Sequence, residues 1–362
     1  MLADSLACQD KNKNLAPHAW RARRKRHEEE DNPMQSMTRR SVVLSAAAAG
    51  AAFGLNGKLE IISPAAAQDK VDPTALNPKA LKFHKFKVGD IEVTQVLDGA
   101  IVRDHNPAFI KNASVDDVKA ALKAAGLPED KVPNAYTITI VKVGDRQVMF
   151  DSGNGLGAGN PAFGHLAANA KEAGVDVSKL NAIVVTHFHP DHIFGLFTKE
   201  NEQVYGNIEI IMPEVEYKYW MDPGVIATLH ESRQGIAKRV QAAWGSWKNI
   251  KQVAADKDAV PGVRAVATPG HTPGHTSYLI SSGSNQLLVL GDVTNIPAIN
   301  LRNPGWHIMF DQDAPTAEDT RRKTMDRVVA DKITATGYHW GMPGAGTIAK
   351  DGNGYVLQAV TV

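Results

Sequence analysis

Residues 186–192 read Thr-His-Phe-His-Pro-Asp-His, and this heptapeptide constrains the fold more than any other part of the chain. Its Thr186 ends Leu180 to Thr186, a largely apolar, β-branched run that predicts a buried strand. Alternate positions in extended backbone face the same way, so His187 and His189 can converge on one point. Asp191 and His192 fall where the chain turns towards a helix at Ile193-Phe194-Gly195, and they can face a second point. Burying three imidazoles and a carboxylate without partners is costly, so this loop is either surface or a metal site. Three later positions favour the metal site. His271 sits in the turn Pro269-Gly-His-Thr-Pro-Gly-His275, Asp292 follows the apolar strand Gln286–Leu290, and His339 follows Ile333–Gly337. Imidazole and carboxylate donors suit zinc, at about 2.0–2.1 Å for nitrogen. Cobalt, manganese and iron accept the same donors. Seven donors exceed one tetrahedral ion and suit two, so two zinc ions per subunit are expected.

The 362 residues carry 40 Lys+Arg against 39 Asp+Glu, which leaves no basic surplus to neutralise phosphates and argues against nucleic acid as a partner. Cys8 is the single cysteine, so neither an intramolecular disulfide nor a thiolate cluster can form. Residues 1–67 read as a leader. A basic then acidic block at 18–31 precedes Thr38-Arg39-Arg40-Ser41, a small apolar stretch and Ala65-Ala66-Ala67. This is the pattern of a twin-arginine-type signal peptide cleaved near Ala67, and it predicts a periplasmic or secreted protein with no stable membrane anchor after cleavage. Met34 and Met37 are alternative starts to Met1. Residues 68–82 read as a tether, and 83–362 as one domain.

Gly89-Asp90 and Gly144-Asp145 each interrupt β-rich runs and predict hairpins. Ser114-Val-Asp-Asp117 is a capping box opening a short helix. Further strands are expected at Ile208–Met212, Val263–Thr268 and Ser277–Ser281. Helices are expected over Phe163–Ala173, Val225–Trp247 and Ala317–Lys332. The stripe Ile236, Ala237, Val240, Ala243, Trp244, Trp247 can be core, lid or dimer face. Two β-rich halves, each followed by helices, predict an α/β protein of α+β type: an αββα sandwich of two mixed sheets with helices outside.

H-x-H-x-D-H, then His in P-G-H-T-P-G-H, then Gly-Asp, then a late His resembles the ligand order of the metallo-β-lactamase superfamily from about Phe86 onward. The resemblance implies that His187, His189 and His271 hold one metal, that Asp191, His192 and His339 hold the other, and that Asp292 bridges them. It also implies that Asp151 buttresses the ligand loop. The β-lactamases of the commonest subclasses use a cysteine ligand that this domain lacks. Length, the Leu166–Asn169 segment and the Glu216–Trp220 segment are similar to the methyl parathion hydrolase and quorum-quenching lactonase group. Where that group is mostly aliphatic after the bridging acid, this chain has Thr294 and Asn295.

The implied activity is hydrolysis of small neutral esters: a methyl parathion-type phosphotriester, an aryl ester or a lactone. The metals would lower the pKa of a shared water towards ~7 and so provide hydroxide to attack. N-acyl-homoserine lactones are the alternative substrate, and sulfate esters or halogenated aromatics a further class. A diiron redox or metal-binding protein is the reading from outside hydrolysis. Asp191 is expected to orient the hydroxide and carry a proton. His275 is expected to brace the His271 turn. Tyr219, Trp220, Thr294, Asn295, Trp306, His307 and Phe310 are the candidate substrate pocket. Dimerisation is common in the resembling group, and a homodimer stays open.

Overall fold

The computed structural model describes residues 81–156 and 160–361. The expected leader over 1–67, and the tether over 68–82 except its last two residues, lie outside the described residues. Both predicted hairpins form. β1 (Phe83–Val88) pairs with β2 (Ile91–Arg103), and β3 (Val132–Val143) with β4 (Arg146–Phe150). β5 (Ala182–Val184), β6 (Glu209–Pro213) and β7 (Ile250–Val253) add in parallel, completing a seven-stranded sheet in chain order. The second seven-stranded sheet holds β8 (Asp258–Val260), β9 (Val263–Ala267), β10 (Thr276–Ser282), β11 (Asn285–Val289), β12 (Thr334–Thr336), β13 (Ala345–Asp351) and β14 (Gly354–Ala359). It is antiparallel except where β11 meets β12.

Alternation along the strands explains how the layers stack. In β5, Ala182 and Val184 enter a core built from both sheets, while Ile183 faces the opposite way into a helix-covered core. Ile211 and its neighbours Ile210 and Met212 divide in the same manner, as do Leu287 and Val289 against Leu288 and Leu290. Strands buried on both faces read as unbroken apolar runs, which is how 182–185 and 287–290 appear in sequence.

The α-helices among the described residues are α1 (Val115–Ala124), α2 (Leu166–Glu172), α3 (Pro190–Ile193), α4 (Glu214–Met221), α5 (Val225–Thr228), α6 (Glu231–Trp244) and α7 (Ala314–Ala330), with short 3-10 turns at Val177–Lys179 and Phe194–Leu196 and a π-helical turn at Pro297–Leu301. α2, α4 and α6 cover the first sheet through Leu166, Trp220, Ala237, Val240 and Trp244, and α7 covers the second through Met325 and Val328. The result is the expected αββα sandwich. The α6 stripe is therefore core, and the predicted helix over Val225–Trp247 is two helices that break at Leu229-His230. Ser114 caps α1 with the predicted box to Asp117. No helix among the described residues is long and apolar enough to cross a membrane.

Candidate metal centre

The strands deliver the seven expected donors to one place. Val289 of β11 is in register with Thr336 of β12 in a parallel pair, and Asp292 and His339 each follow three residues beyond. β5 runs into Thr186–His192, and the turn between β9 and β10 carries His271. His187, His189 and His271 form one cluster of ligand atoms, and Asp191, His192 and His339 another. Asp292 lies between them. Its Oδ2 is 3.3 Å from His271 Nε2 and 3.2 Å from His339 Nε2, and its Oδ1 is 3.3 Å from His192 Nε2.

Hydrogen bonds on the outer side of each ring decide which nitrogen faces inward. His192 Nδ1 donates to Asp151 Oδ2 at 2.7 Å, His271 Nδ1 to Asp311 Oδ1 at 2.8 Å, and His339 Nδ1 to the Ala135 carbonyl at 2.8 Å. Thr186 Oγ1 donates to the Asp151 carboxylate, which can only accept, so it accepts from His187 Nδ1 at 3.0 Å. In its neutral form each of these four rings therefore turns Nε2, as the lone-pair nitrogen, into the centre. His189 Nδ1 sits 3.0 Å from His187 Nε2 and 2.9 Å from His271 Nε2. One proton on His189 cannot satisfy both contacts. His192 Nε2 and Asp292 Oδ1 are buried with no hydrogen bond, and so is the far nitrogen, His189 Nε2. Acceptors converging at such distances need protons or metal ions among them, and a donor set of imidazoles and carboxylates fits a pair of divalent ions.

Electrostatics divides the rings. Burial, then the neighbouring imidazoles, holds His187 and His189 well below the usual histidine range. Burial opposes charge on His192 and His339 as well, but the Asp292 carboxylate foremost raises both, His339 to about 9. Burial also opposes charge on Asp191, yet His192 and His339 bring it down to about 2. His271 is raised by its bonds to Asp292 and Asp311 against the effect of burial.

Asp151 adopts φ 63, a left-handed conformation that acids tolerate better than most residues. From there its carboxylate accepts from Thr186 N, Thr186 Oγ1 and His192 Nδ1, as a buttress would. His275 hydrogen-bonds within the His271 turn, to Thr268 at its base and the Thr272 carbonyl, and also reaches beyond it. Its Nε2 accepts from the Asp292 amide at 3.0 Å while Nδ1 bonds Thr268 Oγ1 at 2.8 Å, so the ring braces the Asp292 loop. Burial and neighbouring His271 bring it down to about 3, keeping that acceptor free of a proton.

The expected pocket residues scatter. Trp220 is fully buried in the core and donates to Glu216, so it cannot line a pocket. Thr294 and Asn295 are buried too. Thr294 Oγ1 accepts from Trp340 Nε1, and Asn295 Nδ2 donates to Asp292 Oδ2 at 2.9 Å. Tyr219 is half-buried and donates to Gln312, and Trp306 and Phe310 pack on a satellite cluster with Ile110 and Ile299. His307 bonds Glu318 at 2.8 Å. Tyr338, which strand alternation would turn away, stacks on His192 at 3.8 Å and donates to the Asp191 carbonyl, because β12 has already ended at Thr336. Sequence reasoning missed Asp311, which holds His271 with one oxygen and the buried Arg321 with the other. It also missed the role of Glu216, whose i, i+4 spacing to Trp220 was a readable sign of a shared helix face.

A sandwich of this kind with seven such donors at the strand ends defines a metal-binding member of a known fold group, and the chain belongs to the metallo-beta-lactamase superfamily, whose profile matches residues 131–333. Among curated relatives, an N-acyl homoserine lactonase from a Bacillus species is 27% identical over 153 residues, 42% of this chain and 54% of that protein. Another, from Bacillus cereus, is 29% identical over 120 residues, 33% of this chain and 40% of that protein. The chain thus spans about half the length of the curated relatives it matches, or less. Among solved structures, AidC, a dizinc quorum-quenching lactonase in complex with a product, is 25% identical with a TM-score of 0.69 over 77% of this chain and 98% of its own. The hydrolase AbOPH is 24% identical with a TM-score of 0.71 over 78% and 98%, which shows the shared fold.

Proposed function

We propose that the protein is a dinuclear, zinc-dependent hydrolase that opens the ring of N-acyl homoserine lactones. The observation that carries the reading is the convergence of the inward-facing Nε2 atoms of His192, His271 and His339 on the Asp292 carboxylate, in a chain similar to lactonases. His187, His189 and His271 would hold one ion, Asp191, His192 and His339 the other, and Asp292 both. Bound there, the ions supply Lewis acidity to an ester carbonyl and make water acidic enough to attack near neutral pH.

The chain's own groups do the rest. Asp191 is the most exposed of the seven, with 21% of its side chain accessible, so it is the carboxylate a substrate meets. Held low in pKa by His192 and His339, it starts ionised and orients the attacking water, takes the proton that water loses as it adds to the carbonyl carbon, and passes it to the ring oxygen as the bond from that oxygen to the carbonyl carbon breaks. Tyr338 fixes that residue by its bond to the Asp191 carbonyl. Asp151, Asp311 and the Ala135 carbonyl keep their imidazoles in the tautomer that presents Nε2. The Arg39-Arg40 leader supports action outside the cytoplasm.

The test is ring opening of N-hexanoyl homoserine lactone by zinc-loaded protein, run beside a methyl parathion-like triester. Turnover of the lactone that chelation abolishes and zinc restores is the expected result. Triester turnover alone would move the protein to organophosphate chemistry, and inertness towards both with two ions bound would end the ester reading.

A further inference from the structure

Glu216 is a fully buried carboxylate in the first turn of α4, and no Lys, Arg or His pairs with it among the described residues. An unpartnered acid at such depth would be costly, so its bonds must compensate. Its two oxygens divide their work. Oε1 accepts from the Phe188 amide at 2.9 Å and from Trp220 Nε1 at 2.8 Å. Oε2 accepts from Thr272 Oγ1 at 2.8 Å and from the Gly274 amide at 2.9 Å. Phe188 lies between His187 and His189, and Thr272 directly follows His271. One oxygen therefore grips each of the two loops that supply the first cluster.

The fit is tight. A Cβ on Gly274 would lie 2.0 Å from the Glu216 backbone nitrogen, so only glycine lets the His271 turn approach α4 this closely. None of the four donors belongs to Asp191, His192 or His339, whose supports are Asp151, the Ala135 carbonyl and Tyr338. We propose that Glu216 is a positioning residue dedicated to one half of the centre: it sets the spacing between the His187/His189 loop and the His271 turn, and so the affinity of that half for its ion. The proposal rests on the dinuclear reading.

Glu216→Gln keeps the volume but leaves one acceptor oxygen, and its amide NH₂ then confronts the donors of one loop. The full-length protein, stripped and titrated with Co(II) against a chelating dye, should show one of its two binding steps weakened about 10–100-fold, as expected for a lost support behind a ligand, and the other unchanged. The cobalt absorption of the weakened step should shift as its imidazoles splay. Thr272→Val removes a single donor and should weaken the same step by less, which keeps the test decisive if Glu216→Gln fails to fold. On a His339→Ala background, which damages the other half, Glu216→Gln should weaken the ion that remains. Equal loss at both steps, or no loss at either, overturns the clamp. Wild-type protein binding fewer than two ions would instead overturn the dinuclear reading beneath it.

Discussion

The two halves of the centre, three imidazoles in one and two imidazoles with a carboxylate in the other, behave differently. His187, His189 and His271 are all buried, and two of the three are held neutral by burial and by one another. Asp191, His192 and His339 mix a carboxylate with two imidazoles that carry protons readily, and Asp191 reaches solvent. The difference lies in what stands behind each. Loops clamped by Glu216 and Asp311 make a closed, preformed nest, whereas the second half opens outward past Asp191. A closed half suits a resident ion, and an open half suits contact with substrate.

The largest effect that this contrast predicts is at the exposed carboxylate. Asp191→Asn should lower kcat by about 10²–10⁴-fold if the residue moves a proton. Measured at saturating metal, full turnover would remove Asp191 from the chemistry and make the open half a mere ion holder.

Next come the paired supports. Asp311→Asn should weaken the closed half's ion alone by about 10–100-fold, through His271. Asp151→Asn should weaken the open half's ion as much through His192, and the closed half's ion by less, because Asp151 also holds the Thr186 hydroxyl that accepts from His187. Metal titration of the two variants checks this, and an Asp151→Asn loss greater at the closed half would break the assignment of that support.

The proton inventory gives a pH test. His339 is raised to about 9 from an ordinary 6.5, so in ion-free protein its favourable interaction with Asp292 and Asp191 is fully present below about 6.5. That contribution is lost as pH rises through about 9. Ion-free protein should therefore melt at a lower temperature at pH 9 than at pH 6.5, while affinity at the open half rises over the same window because the ion no longer competes with a proton. His187 and His189, already neutral, add no such dependence to the closed half, where His271 alone is raised. Calorimetry in buffers of different ionisation enthalpy should find more protons released with one ion than with the other.

The parts of this centre that were legible in sequence are those encoded over short distances. His187 and His189 share a face because two residues separate them, and the Gly-Asp pairs mark hairpins because the turn itself needs them. The sandwich followed from two β-rich halves, each followed by helices. The supports were not legible, because they join distant segments: Glu216 meets Phe188 across 28 positions and Gly274 across 58. Trp220 reads as a pocket residue because an aromatic beside a metal suits a substrate, and Asn295 because it stands where the resembling group is aliphatic. Packing turned both inward, one into the helix-covered core and the other onto Asp292.

Asn295 offers the smallest effect and the sharpest check on whether the halves share anything. Its Nδ2 donates to Asp292 Oδ2, the oxygen that faces both His271 at 3.3 Å and His339 at 3.2 Å. Unlike Glu216, Asp311 or Asp151, it therefore supports an atom common to the two clusters. Asn295→Ala removes one hydrogen bond, worth up to about tenfold in affinity. The loss should fall on both ions alike, with the ratio of the two binding constants preserved. A loss confined to one ion would mean that Asp292 serves that half alone, and the pair would then be two neighbouring sites rather than one bridged centre.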